Sequence, residues 1–236
     1  MNIRYPALSA AVRAAMTFEV DLHPLILRLC PEHAPLFAKT YAFFLRTMER
    51  LIRSVYDGNL GGEFIEIAKN LIDGQISQAY TQAWTDEGTG GALPAYLSDA
   101  AAAMIADQQQ YVDGLYRDIV DARVDETALA PLLARAALWA NRWNEAYDHG
   151  VHLITLNNGG KEIWVLGATE EHCPTCSALN GIVAYAREWE ELGVAPQNAP
   201  NDKLECGGWR CDCRREPTDK RRSPKAFETI LNIVTR

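Results

Sequence analysis

"KEIWVLGATEEHCPTCSALNGIVAYA", residues 161–186, is where the chain stops reading as helix. Upstream, apolar residues recur every three or four positions. Here β-branched and aromatic residues gather in short runs on either side of a Cys-Pro-Thr-Cys turn. "KEIWVLGA" (161–168) and "GIVAYA" (181–186) therefore read as two short strands. The expected architecture is mainly α: a helical bundle over residues 1–150, followed by a small α+β zinc-binding module over 151–236. That module carries the cysteines, a basic segment and a terminal helix.

Working upstream, "PLFAKTYAFFLRTMERLIRSVY" (35–56) places Leu36, Phe37, Phe44, Leu45, Met48, Leu51, Ile52 and Val55 at helix spacing. "DGNLGG" breaks the chain, and a second helix is predicted from about Glu63 to Trp84. A third is predicted from Pro94 to Ala122. A fourth runs from Thr127 to His149, with Pro131 in its first turns, where proline is tolerated. All are amphipathic, as bundle helices with one buried face should be. Downstream, "REWEELG" (187–193) reads as two helical turns ended by glycine, and "VAPQNAPNDK" (194–203) as a loop. "SPKAFETILNIVTR" reads as a terminal helix capped by Ser223, with Pro224 at its first helical position.

A chain of 236 residues, 48% hydrophobic and 23% charged, is long enough to bury a core without covalent staples. It has no apolar run near the ~20 residues that span a bilayer. "MNIRYPALSAAVRAAM" lacks the apolar stretch of a secretory signal, so the expectation is a soluble intracellular protein. A net charge of −8 argues against nucleic-acid binding over the whole surface. Residues 214–225, "RREPTDKRRSPK", oppose that trend: six basic and two acidic side chains leave −12 on the rest. The plain reading of this run is a solvated linker. The sharper one is a contact with nucleic acid or an acidic partner through Arg214, Arg215, Lys220, Arg221 and Arg222.

Five of the six cysteines fall between residues 173 and 213, while Cys30 sits alone in an apolar segment as a small core residue. Cys173 and Cys176 have the spacing that lets two thiolates reach one tetrahedral ion from a tight turn. Cys206 and Cys211, with glycines between them, form a second such turn, and Cys213 follows closely. Disulfides suit small secreted domains, and nothing here marks secretion. A redox Cys-x-x-Cys sits in a βαβ setting that is not found here. A catalytic zinc site mixes in histidine or carboxylate and keeps a position open, whereas an all-sulfur site is closed and structural. The expectation is one structural Zn²⁺ per chain, held by Cys173, Cys176 and Cys206, with Cys211 or Cys213 as the fourth ligand. His172 is placed facing solvent or behind the ligands.

Other candidates are weaker. His149 and His152 lie three apart near a helix end, with no acidic partner at helical spacing to complete a site. Trp139, Trp143 and Tyr147 form a stripe better suited to a core or a partner than to a ligand. The adjacent pairs Glu170–Glu171 and Glu190–Glu191 need not converge. "GNLGG" and "GTGG" lack the lysine of a phosphate loop. No catalytic constellation is visible, and no enzyme is expected.

From Trp139 to Arg215 the chain resembles the C-terminal part of the phage head-morphogenesis, or minor head protein, family. The resemblance rests on an ordered pattern: "RWNEAYDHG", then "EIWVLGATEEHCPTCSALNGIV", "EWEELGVAPQNAP" and "LECGGWRCDCR". Trp164, Cys173, Cys176, Leu179, Gly181, Cys211 and Cys213 stand at matching positions. Where many members carry a histidine shortly before the final cysteines, this chain has Cys206. The match covers about a third of the chain; residues before 139 are similar only in helical character. The resemblance implies a virion component, made in the host cytoplasm, that binds portal or capsid proteins, with packaged DNA as a candidate further partner. It implies no membrane and no small-molecule substrate. Two other readings stand beside it: a zinc-stabilised nucleic-acid-binding regulator, and an enzyme domain fused to a phage structural region.

Overall fold

The computed structural model describes residues 36–88, 90–167, 171–208 and 213–235, with side chains of the first helix from residue 42 onward. Cys30, Cys211 and Glu170 lie outside the described residues. The architecture is mainly helical, with one small antiparallel sheet near the C-terminus, as the apolar periodicities predict. No described helix is long and apolar enough to cross a membrane.

The chain divides into two compact units. One holds the described residues up to Ala79 together with Ser98–Trp143; the other holds Tyr80–Leu97 and Asn144–Arg236. A boundary was expected near residue 150. The second unit instead begins at Asn144 and also takes in the segment 80–97.

The first unit contains α1 (Leu36–Tyr56), the first part of α2 (Glu63–Glu87), α3 from Ser98 (the helix spans Ala95–Gln109), α4 (Val112–Val124) and α5 (Ala130–Ala140). Phe44, Met48, Leu51, Ile52 and Val55 of α1 are all buried, which is the i, i+4, i+7, i+8 stripe of one helix face. Phe64, Ala68, Ile72 and Ile76 of α2 and Leu115 and Ile119 of α4 are buried as well and add to the unit's apolar core. Buried Gln75 donates its Nε2–H to the Ala140 carbonyl at 2.9 Å, so one of its polar groups is satisfied inside that core. The third predicted helix is two: α3 ends at Gln109 and α4 starts at Val112. The fourth is also two, parted at Asn141, so Trp139 and Trp143 sit on different helices, both buried.

The second unit contains α6 from Asn144 (the helix spans Arg142–Asn157), β1 (Lys161–Val165), α7 (Pro174–Leu179), β2 (Val183–Tyr185), α8 (Ala186–Glu191), β3 (Arg214–Pro217) and α9 (Ala226–Val234). Helix α6 runs through Gly150, where a helix end was expected. A Cβ there would stand 2.9 Å from the Ala83 Cβ, so this glycine serves a close helix approach rather than a stop. The sheet order is β2-β1-β3, all antiparallel. On β1 Glu162 and Trp164 are the buried positions, two residues apart and therefore on one face. Trp164 lies opposite Arg215 in the register.

β3 falls in the segment read as a solvated linker, and that reading is corrected here. Arg215 is buried, with Nε 3.7 Å from Glu162 Oε2. The terminal helix is corrected too. It starts at Ala226 after Lys225, whose φ is +49°, and Ser223 does not cap it. Ser223 closes the sheet edge instead: its N–H donates to the Val183 carbonyl at 2.9 Å, and its Oγ accepts the Val183 N–H at 3.0 Å.

Candidate metal centre

The cysteines rest on an apolar core made by Trp164, Leu179, Ala184, Trp189, Val194, Leu204, Ala226 and Ile230, against which Cys173 and Cys206 also pack. The Trp164 and Trp189 rings lie 5.7 Å apart, tilted by 40°. The first turn is built by Pro174, which starts α7 and leaves Cys173 extended at its N-cap. The Cys173 Sγ there accepts the Cys176 N–H at 3.3 Å. Gly181, at φ +81°, ends this turn and donates its N–H to the Trp164 carbonyl at 2.9 Å, returning the chain to the sheet.

The second turn depends on Gly207 and Gly208, at φ +62° and +77°. A Cβ on Gly208 would meet the Asn198 carbonyl oxygen at 2.7 Å, so only glycine fits. The Gly207 N–H reaches the Leu204 carbonyl at 2.7 Å, and the Asn201 N–H reaches the Gly207 carbonyl at 2.9 Å. The Glu205 N–H donates to Thr175 Oγ1 at 3.3 Å and ties the two turns together.

Cys173, Cys176 and Cys206 converge: their sulfurs all lie within 4.8 Å of one another. Among the described residues no other three His, Cys, Asp or Glu side chains do so. Burial pushes the Cys173 thiol up, but hydrogen bonds from Cys176 and Cys206 outweigh it and hold the thiol below its ordinary value. Thiolate character is what a metal ligand needs. These three cysteines can hold a metal ion. Cys213 is buried in the same core but stands outside the trio, with its Sγ 3.7 Å from His172 Nδ1. The remaining candidate, Cys211, is among the residues not described.

The basic residues scatter. Arg214 pairs with Glu216 at the surface, Arg215 is buried, and Arg222 clasps Glu188 through two nitrogens. Lys220 and Arg221 are exposed. Burial of Arg215 removes it from any surface offered to an outside partner.

Sequence reasoning missed a second cluster because its members come from different elements. His152, 1% exposed, has Nδ1 3.0 Å from both oxygens of fully buried Glu162 on β1 and Nε2 2.9 Å from Glu190 on α8. His149 Nδ1 and the Tyr80 hydroxyl share a hydrogen bond of 2.6 Å, and burial holds this histidine down to about 4. Gln197, at φ +60°, donates Nε2–H to Asp148 at 2.8 Å and to the Cys213 carbonyl at 3.0 Å. Burial pushes Asp148 up to about 7. The only sequence signal was the pair of histidines three apart; the acidic partners of His152 lie 10 and 38 residues further on.

Compared with protein families, curated proteins and solved structures, the chain finds no match.

Proposed function

We propose that this protein is a virion assembly component of the phage minor-head type, whose C-terminal module is clamped by one structural Zn²⁺. The observation that carries the clamp is the meeting of Cys173, Cys176 and Cys206, which lie up to 33 residues apart in the chain, on a core that includes Trp164 and Leu179. Sulfur donors and a two-residue spacing suit Zn²⁺, and a fourth thiolate from Cys211 or Cys213 would close the site. A closed site contributes folding energy rather than chemistry. The ordered pattern from "RWNEAYDHG" to "CDCR" supports the minor-head reading, with portal or capsid proteins as partners.

Elemental analysis of the full chain beside Cys173→Ser and Cys206→Ser tests the clamp. One zinc per chain is expected, lost in both variants together with folding of the second unit. Mass spectrometry of particles produced from the genome that encodes the chain tests the assembly role. A few copies per head are expected, and particles that never contain the protein would overturn that role while leaving the clamp intact.

A further inference from the structure

We propose that His152 is a proton-operated latch: protonated, it fastens α8 to α6 and β1, and on losing its proton it releases α8. The argument starts from donors and acceptors. An ionised carboxylate only accepts hydrogen bonds, so a ring nitrogen facing one must carry hydrogen. Both nitrogens of His152 face carboxylate oxygens, at 3.0 Å for Glu162 and 2.9 Å for Glu190. The geometry is therefore that of an imidazolium between two carboxylates.

The groups facing this ring come from four elements. β1 supplies Glu162, α8 supplies Glu190, β3 supplies Arg215, and α6 itself supplies His149 one turn before. Asp148, also on α6, is held by Gln197 in the same network. Burial and Arg215 oppose the charge on His152, while Glu162 and Glu190 favour it; the balance lies above the ordinary histidine value.

The two carboxylates do not share the loss of a proton equally. Glu162 is fully buried and also faced by Arg215, so it has no access to water in place of its Nδ1–H donor. The Glu190 side chain is 59% exposed and can turn to solvent. When the ring gives one proton to water, the N–H that remains stays on Nδ1, and the bond that breaks is Nε2–H to Glu190. That bond ties α8 to α6. α8 also carries Trp189, which is fully buried in the core beneath the cysteines, so its release loosens the floor of that site. The contribution of the latch is fully present below the ordinary histidine value and is lost as pH rises through the higher value of the folded state.

Long-range proton–nitrogen NMR of the His152 ring in the full chain, from pH 5 to 9, tests the latch together with amide exchange across α8. Both ring nitrogens are expected to carry hydrogen at pH 6.5. Glu190→Gln keeps an acceptor oxygen at a half-exposed position and should move the midpoint down by about one pH unit. Glu191→Gln, on the exposed neighbour, should leave it in place. Protection of α8 amides should fall about tenfold in step with the wild-type midpoint, beyond the intrinsic pH dependence of exchange. A single neutral tautomer at pH 6.5, equal shifts in the two variants, or α8 protection that ignores the midpoint would overturn the proposal.

Discussion

Thr175 and Glu205, thirty residues apart, are joined by one hydrogen bond from the Glu205 N–H to the Thr175 hydroxyl, 3.3 Å long. Together with the hydrogen bonds from Cys206 to Cys173, it sets one cysteine turn against the other. Thr175→Val keeps the shape and removes the acceptor, at a cost of about 0.5–1.5 kcal/mol for a donor on exposed Glu205. Metal affinity should fall about tenfold, as it does when a group supporting a ligand is lost. Competition with a chromogenic chelator checks this, and unchanged affinity would remove the bond from any part in shaping the site.

Two glycines at positive φ separate backbone strain from steric overlap. Gly181 has open space where a Cβ would stand, so Gly181→Ala should cost about 1–2 kcal/mol through its φ alone. Gly208 has the same kind of φ, with a carbonyl oxygen 2.7 Å from the added carbon. Gly208→Ala should therefore be clearly the more damaging, and thermal unfolding of the two variants ranks them directly.

Arg222 holds Glu188, and this contact keeps the carboxyl below the ordinary 4.5. A depressed carboxyl contributes stability that is present above the ordinary value and lost as pH falls through the folded one. Arg222→Ala should lower the unfolding temperature by a few degrees at pH 7. The gap to wild type should close as the pH drops below about 4.5.

The Tyr80 hydroxyl shares a hydrogen bond with neutral His149. Tyr80→Phe leaves that nitrogen buried without its partner, at about 1–2 kcal/mol measured by denaturant unfolding at pH 7. His149 also gives the second unit an acid-sensitive limb. Its folded value near 4 lies below the ordinary 6.5, so stability present above 6.5 drains away as pH falls towards 4. His149→Phe should flatten that limb relative to wild type.

The helices of the first unit were legible because each buries a single stripe, as Phe44, Met48, Ile52 and Val55 do on α1. The breaks at Gln110 and Asn141 were not, since neither position carries a proline or glycine to announce it. Gly150 misled in the opposite sense. Local propensity reads it as a terminator, yet its missing Cβ makes room for Ala83. Of the site, the Cys173–Cys176 turn and its partner Cys206 could be read from spacing alone. β3 could not, because a strand written Arg-Arg-Glu-Pro looks like solvated charge until Glu162 is placed beside Arg215. The His152 cluster was hidden for the same reason: pairs between elements leave no period in the sequence.

The antiparallel register of β1 and β3 also decides how this module responds to tension. Glu162 pairs with Pro217 at the end where the chain enters and leaves; Val165 pairs with Arg214 at the opposite end, next to Cys213. A pull that separates α6 from α9 therefore loads the strand pair as a zipper rather than in shear, and its hydrogen bonds open one after another. The first to yield lie beside Lys161, whose ammonium holds the Asp219 and Lys220 carbonyls. The opening then travels towards the cysteines, which sit past the last rung. A metal there would be the rivet at the closed end of the zipper, bearing load only after the sheet has given way.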